Sequence, residues 1–154
     1  MDALPPLNLP PISPRLRREG GVLQVFDPLR DRFVALTPEE WVRQHFVQML
    51  INQLGYEQGL MGNEISLHVG ALARRCDTVV YDPHLHPRMI VEYKRPAVAL
   101  SQRTFDQIAR YNQTLRVPFL AVSNGMQHFC LHMDYANGSC TFLTALPSWQ
   151  ELLQ

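Results

Sequence analysis

Asp77, Glu92 and Lys94 have the types and spacing to act together on a phosphate group. The runs 76–81 and 88–94 are rich in Val, Ile, Met and Tyr and read as strands. Each carries an acid where an apolar residue would be expected. Residues i and i+2 of a strand share a face, so Glu92 and Lys94 project together, one turn away from Asp77. An Asp on one strand and Glu-x-Lys on its neighbour is a known way to build a metal-dependent phosphodiesterase. The bland alternative is a structural salt-bridge set at a sheet end. Two acids and a lysine inside apolar runs are costly to bury without a purpose, which favours the functional reading.

The elements that must position these residues can be read in order. Residues 1–14 hold five prolines and no period, so the stretch 1–20 is expected as an extended Pro-rich arm, ordered only where it docks elsewhere. Residues 21–154 are expected to form one domain. Runs 21–27 and 32–36 flank Pro28-Leu29-Arg30-Asp31 as a small hairpin. Thr37-Pro38-Glu39-Glu40 starts a helix: Thr37 as N-cap, Pro38 at the first position, Glu40 completing a capping box. Val42, Phe46, Met49 and Leu50 continue it at helical spacing, and Gly55 stops it. Run 64–69 alternates as a half-buried strand and begins a three-strand antiparallel meander through Asp77 and Glu92. An amphipathic helix follows from Ser101 to Thr114, with Gln107 and Tyr111 four residues apart on one face. Run 118–123 is nearly all apolar, a strand buried on both sides, and the helix before it suggests a parallel crossover. Asn124-Gly125 and Asn137-Gly138 are hairpin signals, and Ser148 caps a short last helix. The sum is α/β: a mixed central sheet, antiparallel meander plus parallel crossover strand, flanked by helices.

Bulk composition narrows the classes. The 154 residues are 46% hydrophobic and 18% charged, enough for a core and unlike a disordered chain. Formal net charge is zero, which argues against strong autonomous DNA binding. The positive charges are clustered, however, at Arg15/Arg17/Arg18, Arg74/Arg75 and Lys94/Arg95, and a local field survives a neutral total. Three cysteines without metal-type spacing argue against a disulfide scaffold, and a reducing cytoplasm is the simplest compartment. No apolar run approaches the ~20 residues needed to span a bilayer.

The ordered set LTPEEWVRQ at 36–44, RRCDTVVYD at 74–82, IVEYKRP at 90–96, DQIARYN at 106–112 and SNG at 123–125 resembles the PD-(D/E)xK nuclease superfamily, the restriction-endonuclease-like fold. Within it, the chain is most similar to the N-terminal nuclease domain of type I restriction enzyme R subunits, in a stand-alone version. The resemblance runs from about Val25 to Leu146. It implies that Asp77, Glu92 and the backbone carbonyl of Tyr93 hold a divalent cation. Oxygen ligands suit Mg²⁺ or Mn²⁺. It implies that Lys94 orients or activates water and offsets phosphate charge. By family position Glu40 would help order the metal or its water, although the capping box explains that residue completely. Gln107 and Tyr111 would help position nucleic acid or a catalytic group, or be no more than an exposed helix pair.

Other residues carry weaker signals. Glu64 is an alternative acid for the site or an ordinary strand-end charge. Arg75 and Arg95 flank the site and would meet phosphates or simply face solvent. His84/His86 and His128/His132 have spacings that suggest zinc, but no Cys or acid completes a set. Ser123-Asn124-Gly125 reads as a turn. The leading expectation is therefore a Mg²⁺- or Mn²⁺-dependent endonuclease acting on DNA. A catalytically silent nucleic-acid- or partner-binding module of the same fold is the alternative. An RNA- or nucleotide-directed hydrolase is a third reading, since the site reads phosphate and not base. These residues contain no G-x-x-x-x-G-K-[ST] phosphate loop, so they lack the motor of a type I system, and membership of a working type I complex does not follow from the resemblance. DNA is the expected partner, with additional subunits for motor or specificity as a further option. A homodimer is the default expectation for cutting two strands.

Overall fold

The computed structural model describes residues 4–154, so residues 1–3 of the expected arm lie outside the described residues. Leu16–Glu19 (β1), Val22–Asp27 (β2) and Arg32–Ala35 (β3) form a three-stranded antiparallel sheet. The expected hairpin is β2–β3; β1, inside the stretch expected as an arm, adds a third strand by pairing Leu16 with Val25 and Glu19 with Val22. Helix α1 (Pro38–Asn52) starts as its sequence dictates, with Thr37 in extended conformation and its hydroxyl accepting the Glu40 N–H. Glu40 does not close the capping box, because its carboxylate is taken elsewhere.

A short 3₁₀ turn, Gln58–Leu60, leads into Met61–Val69 (β4), Leu72–Tyr81 (β5) and Pro87–Tyr93 (β6). Helix α2 (Gln102–Leu115) then crosses to Phe119–Ser123 (β7), followed by His128–Asp134 (β8), Ser139–Phe142 (β9) and helix α3 (Trp149–Leu152). The sheet order is β4-β5-β6-β7-β8-β9. Every pairing is antiparallel except β6–β7, which are joined through α2 and run parallel. This is the expected α/β architecture with a mixed sheet.

The sheet is covered on both faces. Val42, Phe46 and Leu50 of α1 pack with Met89, Val91, Tyr93 and Ala121 on one side. Phe105 and Ile108 of α2 pack with Cys76, Ile90, Leu120 and Val122 on the other. Burial on both sides explains why β7 has no polar alternation. Among the described residues no helix is long and apolar enough to cross a membrane.

One irregularity positions the site. The β4–β5 ladder pairs Asn63 with Thr78 and Ile65 with Cys76, and between them Glu64 and Asp77 drop out. Glu64 has φ +58°, a left-handed conformation that non-glycine residues rarely adopt. Side-chain alternation breaks at the same place. Cys76 lies in the α2-side core, whereas Thr78 and Asn63 bond each other and Thr78 meets the Tyr93 hydroxyl on the α1 side. The β5–β6 ladder ends at Thr78 paired with Val91, so Asp77 and Glu92 stand just beyond the last pair.

Candidate active site

Asp77 fills the gap where β5 and β6 part. Its Oδ2 accepts the Tyr93 N–H at 2.9 Å. Its carbonyl oxygen, left out of the ladder, accepts Nη1–H of Arg43 at 2.7 Å. Glu92 lies beside it in a largely buried setting. Burial and the Asp77 carboxylate push the Glu92 carboxyl up to about 8, against the opposing pull of Arg74 and Lys94. Lys94 follows two residues later, just past the end of β6, where its charge acts on Glu92, and its backbone N–H donates to the Ser123 carbonyl at 2.9 Å. The structure thus gathers Asp77, Glu92 and Lys94 at one end of the central strands.

Behind the acid pair runs a closed circuit of hydrogen bonds that the sequence did not disclose. The Tyr93 hydroxyl donates to Thr78, whose hydroxyl donates to Asn63 at 2.7 Å. Asn63 donates to Asp27, which also receives Arg30. Arg30 reaches Glu40, Glu40 accepts Arg43, and Arg43 returns to the Asp77 carbonyl. Arg43 also meets Glu64 at 2.8 Å, and Glu64 takes Arg75 at 2.6 Å. Acids and guanidiniums alternate, so each buried charge has an opposite neighbour. Burial pushes Asp27 and Glu64 upward, but Arg30, Asn63 and the Leu29 N–H on Asp27, and Arg43 and Arg75 on Glu64, outweigh it and hold both carboxyls below their ordinary values. For Arg43, burial is outweighed by Glu40 and Glu64, which raise its proton affinity.

The remaining predicted residues divide. Both Glu40 oxygens are engaged by Arg30, Arg43 and Gln44. Among the described residues no three His, Cys, Asp or Glu side chains form a metal-type cluster, so Glu40 is not brought to the acid pair as a third carboxylate. Glu64 is held by Arg43 and Arg75. Tyr111 is half-exposed and carries the Arg74 guanidinium 3.9 Å above its ring. Arg74 in turn lies 3.6 Å from Glu92. Gln107 is exposed on the same helix, and no hydrogen bond links it to the site among the described residues. Ser123-Asn124-Gly125 is a turn: Asn124 caps it by accepting the Met126 and Gln127 N–H groups. His128 is spent on Ser123 and the Asn8 carbonyl, and His132 lies against Phe119. His84 and His86 sit in the Asp82 turn.

A divalent cation suits this donor set. Two carboxylates are forced together, and burial and their mutual repulsion raise Glu92 despite Arg74 and Lys94, so the pair is an oxygen site that a hard cation would satisfy. Asp77, Glu92 and the Tyr93 carbonyl would hold it.

Fold and site together define an α/β protein of the restriction-endonuclease-like class. The profile of the family described as "Type I restriction enzyme R protein N terminus (HSDR_N)" matches residues 38–147, and the chain belongs to that family. Its fold is also similar to a fragment provisionally assigned as the HsdR subunit of a type I restriction enzyme from Vibrio vulnificus YJ016. The TM-score is 0.52 at 21% identity, over 77% of this chain and 25% of that one. This chain therefore spans about a quarter of that structure's length. Comparison with curated proteins finds no match.

Proposed function

We propose that this chain is a Mg²⁺- or Mn²⁺-dependent DNA nuclease of a restriction system, acting through Asp77, Glu92 and Lys94. The observation that carries the reading is the meeting of Asp77 with Glu92-x-Lys94 where β5 and β6 part. A cation bound by Asp77, Glu92 and the Tyr93 carbonyl would supply charge neutralisation and Lewis acidity for a phosphodiester. Lys94 Nζ–H groups would orient a water and oppose the charge that develops on phosphate. Arg43 holds the Asp77 backbone through its carbonyl, and the Tyr93 N–H orients its carboxylate. A net charge of zero supplies little long-range attraction for DNA, so substrate delivery by further subunits that provide motor and specificity belongs to the proposal. Nothing in the comparisons supports the expected homodimer.

The test is cleavage of supercoiled plasmid and of single-stranded DNA with Mg²⁺, Mn²⁺ or EDTA, beside Lys94→Ala. Metal-dependent nicking that the variant lacks supports the reading. Binding of Mn²⁺ and DNA without cleavage, in the presence of cell extract as a source of partners, would count for the silent binding module.

A further inference from the structure

Arg74 stands where a substrate phosphate would need it. The side chain is one-third exposed, leaves β5 on the α2 side with Cys76, and lays its guanidinium 3.9 Å over the Tyr111 ring. Stacking fixes the plane of the fork at little cost and leaves its edge free to donate. The contact with Glu92 is a single one at 3.6 Å, beyond hydrogen-bonding distance. No hydrogen bond from the Arg74 guanidinium to another group occurs among the described residues. A single ion-pair contact of that length, with the arginine one-third exposed, contributes ~0–1 kcal/mol, too little to explain an arginine set on an aromatic shelf beside two carboxylates. The contrast with its neighbour is direct. Arg75, 70% exposed, is drawn away by Glu64 at 2.6 Å. A phosphodiester brought to Asp77 and Glu92 meets two acids, and Lys94 offers one positive charge against them. A second, with planar donors, is at Arg74.

We propose that the Arg74 guanidinium, held on the Tyr111 ring beside Glu92, binds a non-bridging phosphate oxygen of the nucleic-acid substrate. The proposal rests on the nuclease-site reading above, and Tyr111 is its positioning residue. Arginine is the side chain of choice for such a contact because its fork pairs with two phosphate oxygens at once.

The experiment uses the full chain with Ca²⁺ as cation and a single-stranded thymidine dodecamer as probe. The Arg74 Nε–H signal in an NMR spectrum, shifted by the Tyr111 ring current, is expected to move as the dodecamer is added. Arg74→Gln is expected to weaken binding about tenfold and to lower the slope of log affinity against log salt by about 0.7, one phosphate contact on a single strand. Arg74→Lys should restore the slope without the full affinity, because an ammonium is a point charge. Tyr111→Leu should abolish the ring-current shift and weaken binding in part. Arg75→Ala should leave the slope unchanged. The proposal is overturned if the dodecamer does not bind, if it binds with the Arg74 signal unmoved, or if Arg75→Ala loses as much as Arg74→Gln. Binding through Arg74 in a protein that never cuts plasmid, with cell extract present as a source of partners, would sustain the proposal and remove the nuclease reading. Plasmid cleavage with unaltered KM in Arg74→Gln would do the reverse.

Discussion

A carboxyl buried against a second carboxyl must hold a proton or a cation. Glu92 is in that position, with burial and Asp77 raising it to about 8. The sign of the consequence is fixed. Because the folded value lies above the unfolded one, stability from the retained proton is complete below about pH 4.5 and is lost as pH rises through about 8. Glu92→Gln should therefore match wild type near pH 4.5 in EDTA and exceed it by roughly 4–5 kcal/mol at pH 8.5, taking ~1.4 kcal/mol per tenfold change in proton affinity between 4.5 and about 8. Urea unfolding at the two pH values checks this, and equal stabilities at pH 8.5 would mean that the acids do not repel. Mn²⁺ at pH 8.5 should raise wild-type stability and leave the variant unmoved. Lys94→Ala should fold and bind Mn²⁺ as wild type does, yet lose plasmid cleavage by ~10²-fold or more. Undiminished nicking in that variant would remove Lys94 from the mechanism. The acids and the lysine were legible as residues because they interrupt apolar strands. Arg74 was not, since strict alternation places Arg75 with Asp77. The break in the pleat at Glu64 and Asp77 reverses that parity, and no local sequence signal marks Glu64 as left-handed.

At the scale of elements, Arg43 ties α1 to β5. It is buried, donates to Glu40, Glu64 and the Asp77 carbonyl, and leaves no neighbour uncompensated. Arg43→Met keeps the length and apolar contact of the side chain but leaves Glu40 to Arg30 and Gln44, Glu64 to Arg75, and the Asp77 carbonyl without its donor. The expected cost is about 2–3 kcal/mol, the scale of a lost hydrogen bond to a charged group. Guanidinium or urea unfolding measures it, and a loss under 1 kcal/mol would show that solvent replaces Arg43 freely. If the variant is too unstable to study, Arg43→Lys should retain part of the stability and weaken Mn²⁺ binding, because the Asp77 carbonyl loses its aligned donor. The helices, the meander, the crossover and both Asn-Gly hairpins could be read from period and turn chemistry. The circuit behind the site could not. Glu40 already had a local explanation in the capping box, and its carboxylate went instead to Arg30 ten residues away and to Arg43 and Gln44 on its own helix, while Arg43 reached Glu64 and the Asp77 carbonyl, 21 and 34 residues away. Strand β1 was hidden for a related reason. Its sequence, Leu-Arg-Arg-Glu, is fully exposed and has strand geometry only because β2 offers an edge.

Across the whole molecule, the proline-rich segment acts as a strap rather than a free arm. The Trp41 indole N–H donates to the Pro5 carbonyl at 2.9 Å, at the start of α1. Asn8 donates its N–H to Gly125 at 2.8 Å, and its carbonyl accepts Nε2–H of His128 at 2.8 Å. Leu7, between these anchors, and Leu9, just beyond them, pack on the α1-side core. Leu7 comes so close to the β7–β8 turn that a Cβ on Gly125 would lie 2.7 Å from it, and Gly125 has φ +85°. Gly125→Ala combines that clash with a backbone conformation unfavourable to alanine, and should cost roughly 1–2 kcal/mol. Its effect should be local. The Asn8 amide is expected to exchange hydrogen about tenfold faster, while the amides of α2, on the far face of the sheet, keep their protection. Uniform loss of protection across both faces would instead mean that the strap is integral to the cooperative unit. The strap also has an acid limit. Burial lowers His128, against the pull of its Asn8 bond, so the ring is neutral at pH 7 with its proton on Nε2. A depressed histidine contributes stability above its unfolded value near 6.5 that is lost as pH falls through the folded value. His45, buried and likewise lowered, acts in the same direction. Between pH 7 and pH 5 the Asn8 amide should thus lose protection in wild type, and His128→Gln should reduce that pH dependence, leaving the part that comes from His45. An Asn8 amide equally protected at both values would show that the strap holds without the histidine.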